Sequence, residues 1–177
     1  AVFNAVSATQ VVFQRPVNAQ PRAQGIPMAQ AIAALHYLSI LLLFALLGIE
    51  HLQFKQPLDL ARARRLVLID IAYGVSASLV LFSGAARVIW YGKGLDYYLH
   101  NGLFHAKVGL FLLVGVLSTL PTFVFLNWRN ALQAGQVPDV SPRQRQWLTL
   151  CIRLELLLLL IIPLLAMLMA RGYGVAP

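Results

Sequence analysis

The chain has 177 residues, of which 59% are hydrophobic and 11% are charged. A soluble domain carries about 25% charged residues, so this composition excludes an ordinary water-soluble fold. The net charge of +8 (14 basic, 6 acidic residues) sits in short segments beside long apolar runs, a membrane pattern and not a nucleic-acid-binding one.

Residues 1–27, "AVFNAVSATQVVFQRPVNAQPRAQGIP", are rich in Ala, Gln, Val and Pro and contain no acid. No apolar run in them is long enough for a signal-peptide core. They read as an extramembrane tail without a core of its own, and Met28 stands just before the first long apolar segment. The tail is therefore either an upstream extension or a sign that the chain starts elsewhere.

Four apolar segments follow within 28–177. A bilayer core of about 30 Å is crossed by about 20 helical residues. Helix 1 is expected over Ala31–Gln53, helix 2 over Arg65–Tyr91, helix 3 over Phe104–Trp128 and helix 4 over Gln146–Arg171. Pro121 is expected to kink or thin the inner end of helix 3. The segments lack the alternation of barrel strands, so the expected fold is all-α: a four-transmembrane-helix bundle with an extended N-terminal tail.

Orientation follows from Lys and Arg near the helix ends. The loops joining helices 1–2 and 3–4 hold seven: Lys55, Arg62, Arg64, Arg65, Arg129, Arg143 and Arg145. The other side holds five: Arg15, Arg22, Arg87, Lys93 and Arg171. This bias favours a bacterial inner membrane protein with both termini periplasmic. Tyr91, Tyr97, Tyr98, Trp90 and Trp128 fit an aromatic interface belt.

That orientation sorts the intramembrane polar residues into two levels. His36, Arg87, His105 and Lys107 fall near the outer face; Glu50, Asp70, Arg153 and Glu155 fall near the inner one. His36 and Glu50 are 14 residues apart on helix 1, about 21 Å along the axis. The outer group is cationic or potentially so, and its only acid at that level is Asp96 in the loop. Crowded cations repel, and a bound anion would relieve them; haem propionates, a phospholipid headgroup or a quinone oxygen would each serve. Snorkelling of Arg87 and Lys107 to the headgroups is the simpler alternative, as is a plain hydrogen bond for His36. His105 and Lys107 differ by about 200° around helix 3 and do not face one site. Arg153 and Glu155 differ by the same angle on helix 4. An ion pair of Arg153 with Asp70 or Glu50 is expected at the inner level, with a proton path as the alternative.

Cys151 lies in an apolar stretch and reads as a small buried hydrophobe. No Cys-x-x-Cys, c-type haem, phosphate-loop or Gly-x-Ser-x-Gly motif occurs.

The stretches "ALHYLSILLLFALLGIEHL", "DIAYGVSASLVLFSGAARV", "KGLDYYLHNGLFHAKVGLFLLVGVLSTLPTF" and "NWRN" resemble a family of uncharacterised four-helix bacterial membrane proteins, over roughly Met28 to Tyr173. More distantly, "A-L-H" at His36 and the aromatic-x-x-Lys of Phe104–Lys107 resemble four-helix membrane proteins of the HemJ and CopD types. The HemJ type are oxygen-independent protoporphyrinogen oxidases that bind haem b. By that resemblance His36 would be an axial haem ligand and Lys107 an essential partner, making a membrane oxidoreductase or electron-transfer protein possible. A non-catalytic accessory subunit of a larger respiratory or photosynthetic complex is the other expectation, with the tail as an arm that binds a neighbouring subunit. A small transporter finds little support, since helices 1–2 and 3–4 show no internal repeat.

Overall fold

A computed structural model describes residues 27–174. The expected tail lies outside the described residues except for Pro27. The described chain forms six helices: α1 (Met28–Lys55), α2 (Leu60–Trp90), α3 (Leu95–Leu99), α4 (Gly102–Asn127), α5 (Arg129–Gln133) and α6 (Pro142–Ala170). Four of them, with α5 continuing α4, are long and apolar enough to cross a membrane. The all-α four-span architecture is therefore as the sequence predicts.

Helices α2 and α6 start several residues before the apolar runs because capping fixes their ends. Asp59 accepts from the Arg62 amide at 2.7 Å and opens α2. Ser141 accepts from the Gln144 amide at 3.2 Å and opens α6, with Pro142 in its first turn. Only residues 56–59 separate α1 from α2, so the two pack as an antiparallel hairpin. The α4–α6 pair forms a second hairpin, and the two meet through α1 against α6 and α2 against α4. The helices thus stand in a ring in the order α1, α2, α4, α6.

Helix α4 runs unbroken through Pro121, whose ring is buried against neighbouring helices. The outward faces stay apolar: Leu41 is 66% exposed and Phe82 is 70% exposed. In water such faces would be costly; in a bilayer they contact acyl chains.

The outer end is tied by Asn101, fully buried at the head of α4. Its Oδ1 accepts from the Leu103 and Phe104 amides (3.0 and 3.2 Å), and its Nδ2 donates to the Tyr173 carbonyl at 3.1 Å. One side chain caps α4 and anchors the turn after α6. Asn101→Ala removes both, and a cap of this kind contributes about 1 kcal/mol. The variant is expected to unfold in detergent at a correspondingly lower temperature, read by circular dichroism on heating.

At the inner end Phe54, Phe125 and Trp128 are all buried. Phe125 lies 6.1 Å from Phe54 and 4.8 Å from Trp128, centroid to centroid. Trp128 therefore belongs to the core and not to the interface belt expected from the sequence. Trp90 and Trp147 are 70% and 67% exposed and occupy belt positions at opposite ends.

Candidate functional site

The bundle carries polar side chains at two depths. At the outer level, His36 of α1 reaches α2: its Nδ1 lies 2.9 Å from Ser83 Oγ. Ser83 Oγ is also within hydrogen-bond distance of the Leu79 carbonyl; with the serine proton placed there, Nδ1–H would donate to Ser83 and Nε2 would keep its lone pair. Gly84 makes room for the ring, since a Cβ there would stand 3.1 Å from His36 Cε1. Arg87, one turn further along α2, lies over the Tyr37 ring with its guanidinium carbon 5.0 Å from the centroid. Lys107 of α4 lies 5.3 Å from the Phe104 centroid.

His36, Arg87 and Lys107 are each half-buried, and each lies within electrostatic reach of the other two. None pairs with a carboxylate among the described residues. Asp96 is exposed and lies 3.2 Å from His100 instead. Three helices thus bring three of the four outer residues together. His105 stays apart: it is exposed, and its Nδ1 donates to the Asn101 carbonyl at 3.1 Å. The 200° separation from Lys107 is the reason, because only one of the two can face the bundle.

The inner level is far more buried. Glu50 of α1, Asp70 of α2 and Glu155 of α6 are 1%, 5% and 0% exposed. They are near enough to feel one another's charge. Thr122 of α4 donates to Asp70 Oδ1 at 2.8 Å, and Tyr73 of α2 donates to Glu155 Oε2 at 3.2 Å. Glu50 Oε1 and Glu155 Oε1 are inaccessible to solvent and have no hydrogen-bond partner. Arg153 is exposed, and the ion pair expected between it and Asp70 or Glu50 is not formed. With Glu155 turned into the bundle, the helical angle turns Arg153 to the outside.

Tyr73 and Thr122 join this level although neither was singled out in the sequence. The signal for Tyr73 was its place three residues after Asp70, on the same face of α2. Thr122 gave none, since its role depends on α4 lying beside α2. Cys151, one turn before Glu155, is buried as expected.

Between the two levels every spanning helix presents buried apolar side chains: Leu43 and Leu47, Val80, Val114, Leu158 and Leu159. A recess of about 250 Å³ lies at the inner end, lined by Asn127, Asp139 and Gln144 among others, and includes none of the residues of either level.

Residues 28–174 match a family described as "Predicted membrane protein (DUF2214)". The chain belongs to this family. It is accordingly a multi-pass membrane protein, and its spanning helices imply a lipid bilayer around it. No curated protein and no solved structure matches the chain. The family description assigns no activity.

Haem can be weighed at the outer one. Nδ1 of His36 is held by Ser83, as the outer nitrogen of a ligating histidine commonly is, and Nε2 is left as the donor. Arg87 and Lys107 suit propionates. Among the described residues His105 is exposed and bonded to the Asn101 carbonyl, so His36 is the side chain that would hold the iron. Among the described residues no group of three or more His, Cys, Asp or Glu side chains is arranged to hold a bare metal ion.

Proposed function

We propose that this membrane protein binds a ligand bearing carboxylate, phosphate or quinone oxygens between the outer halves of α1, α2 and α4. The supporting observation is the convergence of His36, Arg87 and Lys107, half-buried, from three helices with no acid beside them. Bringing cations together in a medium of low polarity is unfavourable unless a counter-charge joins them. The ligand contacts are charge-assisted hydrogen bonds from Arg87 and Lys107, with His36 beneath.

Two sources offer this chemistry. One is a b-type haem, for which His36 is the iron ligand and the protein serves a redox or electron-transfer role. The other is an anionic lipid headgroup or a quinone-like cofactor. The placement of Lys and Arg supports a bacterial inner membrane with the outer site and both termini on the periplasmic side.

An absorption spectrum of protein purified after haem-replete expression, followed by native mass spectrometry, separates the sources. A Soret band that His36→Ala abolishes assigns haem. An anionic lipid or quinone retained without a band assigns the other. In either case Arg87→Ala or Lys107→Ala is expected to weaken retention roughly tenfold or more, the worth of one hydrogen bond to a charged group. Protein that retains no such ligand, and whose variants behave as wild type, overturns the outer site. Co-migration of that empty protein with a larger complex would favour an accessory subunit in its place.

A further inference from the structure

The inner level raises a separate question, because nothing in it depends on the outer ligand. Three carboxyl groups from three helices share the bundle interior, where a spanning protein has least water. The groups facing them can be counted helix by helix. Helix α1 supplies Glu50; α2 supplies Asp70 and Tyr73; α6 supplies Cys151 and Glu155. Helix α4 brings Thr122, and its only ionisable side chains, His105 and Lys107, lie at the outer end. Arg153 is exposed, and His51 is half-buried on α1 beside Glu50 with its Nδ1 unpartnered. Among the described residues no cation pairs with the three acids.

Three ionised carboxylates held this way would repel one another with no base paired to them to offset the charge. The charge has to be cancelled by protons or by a bound cation. The carboxylates do not present a metal-holding arrangement. The unengaged oxygens leave room for protons instead. Tyr73 and Thr122 each donate to one oxygen of an acid, while Glu50 Oε1 and Glu155 Oε1 keep buried oxygens unengaged, free to carry or accept a proton. Two independent observations therefore meet: acids clustered without a base, and unpartnered, fully buried oxygens within the cluster.

The cluster is also enclosed. Toward the outer side lie Leu43, Leu47, Val80, Val114 and Leu158, with the buried hydroxyls of Ser39 and Ser76 among them. Toward the inner side Phe54, one turn beyond Glu50, packs edge-on against Phe125. Arg145 covers the far side of that layer, its guanidinium carbon 5.7 Å from the Phe54 centroid and Nη2 donating to the Gln56 carbonyl at 3.2 Å.

We infer that Glu50, Asp70 and Glu155 form an enclosed proton-binding site in the inner half of the membrane, with the Phe54–Phe125 layer between it and the inner water. The ligand is the proton.

Infrared spectroscopy of the purified protein in lipid nanodiscs at neutral pH tests this. A carboxylic-acid C=O stretching band is expected although exposed carboxyls are ionised, with part of it lost in Glu50→Gln and part in Glu155→Gln. Dicyclohexylcarbodiimide gives a second measurement on unaltered protein. A protonated carboxyl adds across one C=N bond: its oxygen bonds to the central carbon and its proton goes to a nitrogen, with no atom lost. Mass spectrometry is expected to find the adduct on Glu50 or Glu155, and none on the exposed Asp59 and Asp96. If a glutamine variant fails to fold, the wild-type band and labelling pattern decide alone. Absence of the acid band at neutral pH overturns the proposal. So does labelling no greater than at Asp59 and Asp96, or stoichiometric metal by elemental analysis.

Discussion

Phe125→Ala is expected to lower the stability of the folded bundle by about 3–5 kcal/mol, the range for deleting a fully buried aromatic side chain. Phe125 is 1% exposed and touches Phe54 on one side and Trp128 on the other. Its loss leaves a cavity where α1, α4 and the start of α5 meet. Relaxation there is limited, because Arg64 of α2 is fixed to the Leu132 carbonyl of α5 at 3.2 Å and Arg145 of α6 to the Gln56 carbonyl. Denaturant unfolding in mixed micelles, followed by tryptophan fluorescence, measures the loss. A cost below that of an ordinary surface substitution would mean that the aromatic layer does not hold the inner end closed. Phe125→Leu, which keeps most of the volume, is expected to recover most of the stability.

Glu50→Met is expected to act in the opposite direction, raising stability by about 1–3 kcal/mol. Glu50 is 1% exposed, makes no side-chain hydrogen bond, and leaves one oxygen unpartnered. Methionine fills a similar volume without a polar group to desolvate. Glu155→Met serves as the contrast. It removes a buried acid too, but it strands the Tyr73 hydroxyl, whose acceptor at 3.2 Å is Glu155 Oε2. An unsatisfied buried donor costs about 1–3 kcal/mol, so the gain at position 155 is expected to be largely cancelled. Thermal unfolding of the two variants side by side gives the comparison. If Glu50→Met destabilises the protein strongly, Glu50 has a partner, such as a bound cation, that balances its burial. A protein that retains an acid costing it stability, at a place where methionine fits, keeps that acid for a reason other than folding.

The four spans were legible in the sequence because the requirement behind them is one-dimensional. A helix that crosses lipid needs an unbroken apolar run of sufficient length, and a run is visible without neighbours. Depth was legible for the same reason: rise per residue places His36 and Glu50 about 21 Å apart on α1 whatever packs beside it. Helical angle settled which of two close residues could share a site. His105 and Lys107 part ways, and so do Arg153 and Glu155.

What needed the tertiary structure was every statement about partners. The sequence supplied one cation and three acids at the inner level and suggested an ion pair. The packing of α1, α2 and α6 turns the acids together and Arg153 outward. Thr122 reaches Asp70 across 52 positions of chain, and Tyr73 reaches Glu155 across 82. Asn101 binds the turn after α6 across 72. Trp128 looks like an interface residue until packing against Phe125 buries it. Composition and periodicity act along one chain segment at a time, so they fix what enters the membrane and how deep. Which charges meet depends on the rotation of each helix about its axis, and that rotation is set only when four helices pack at once.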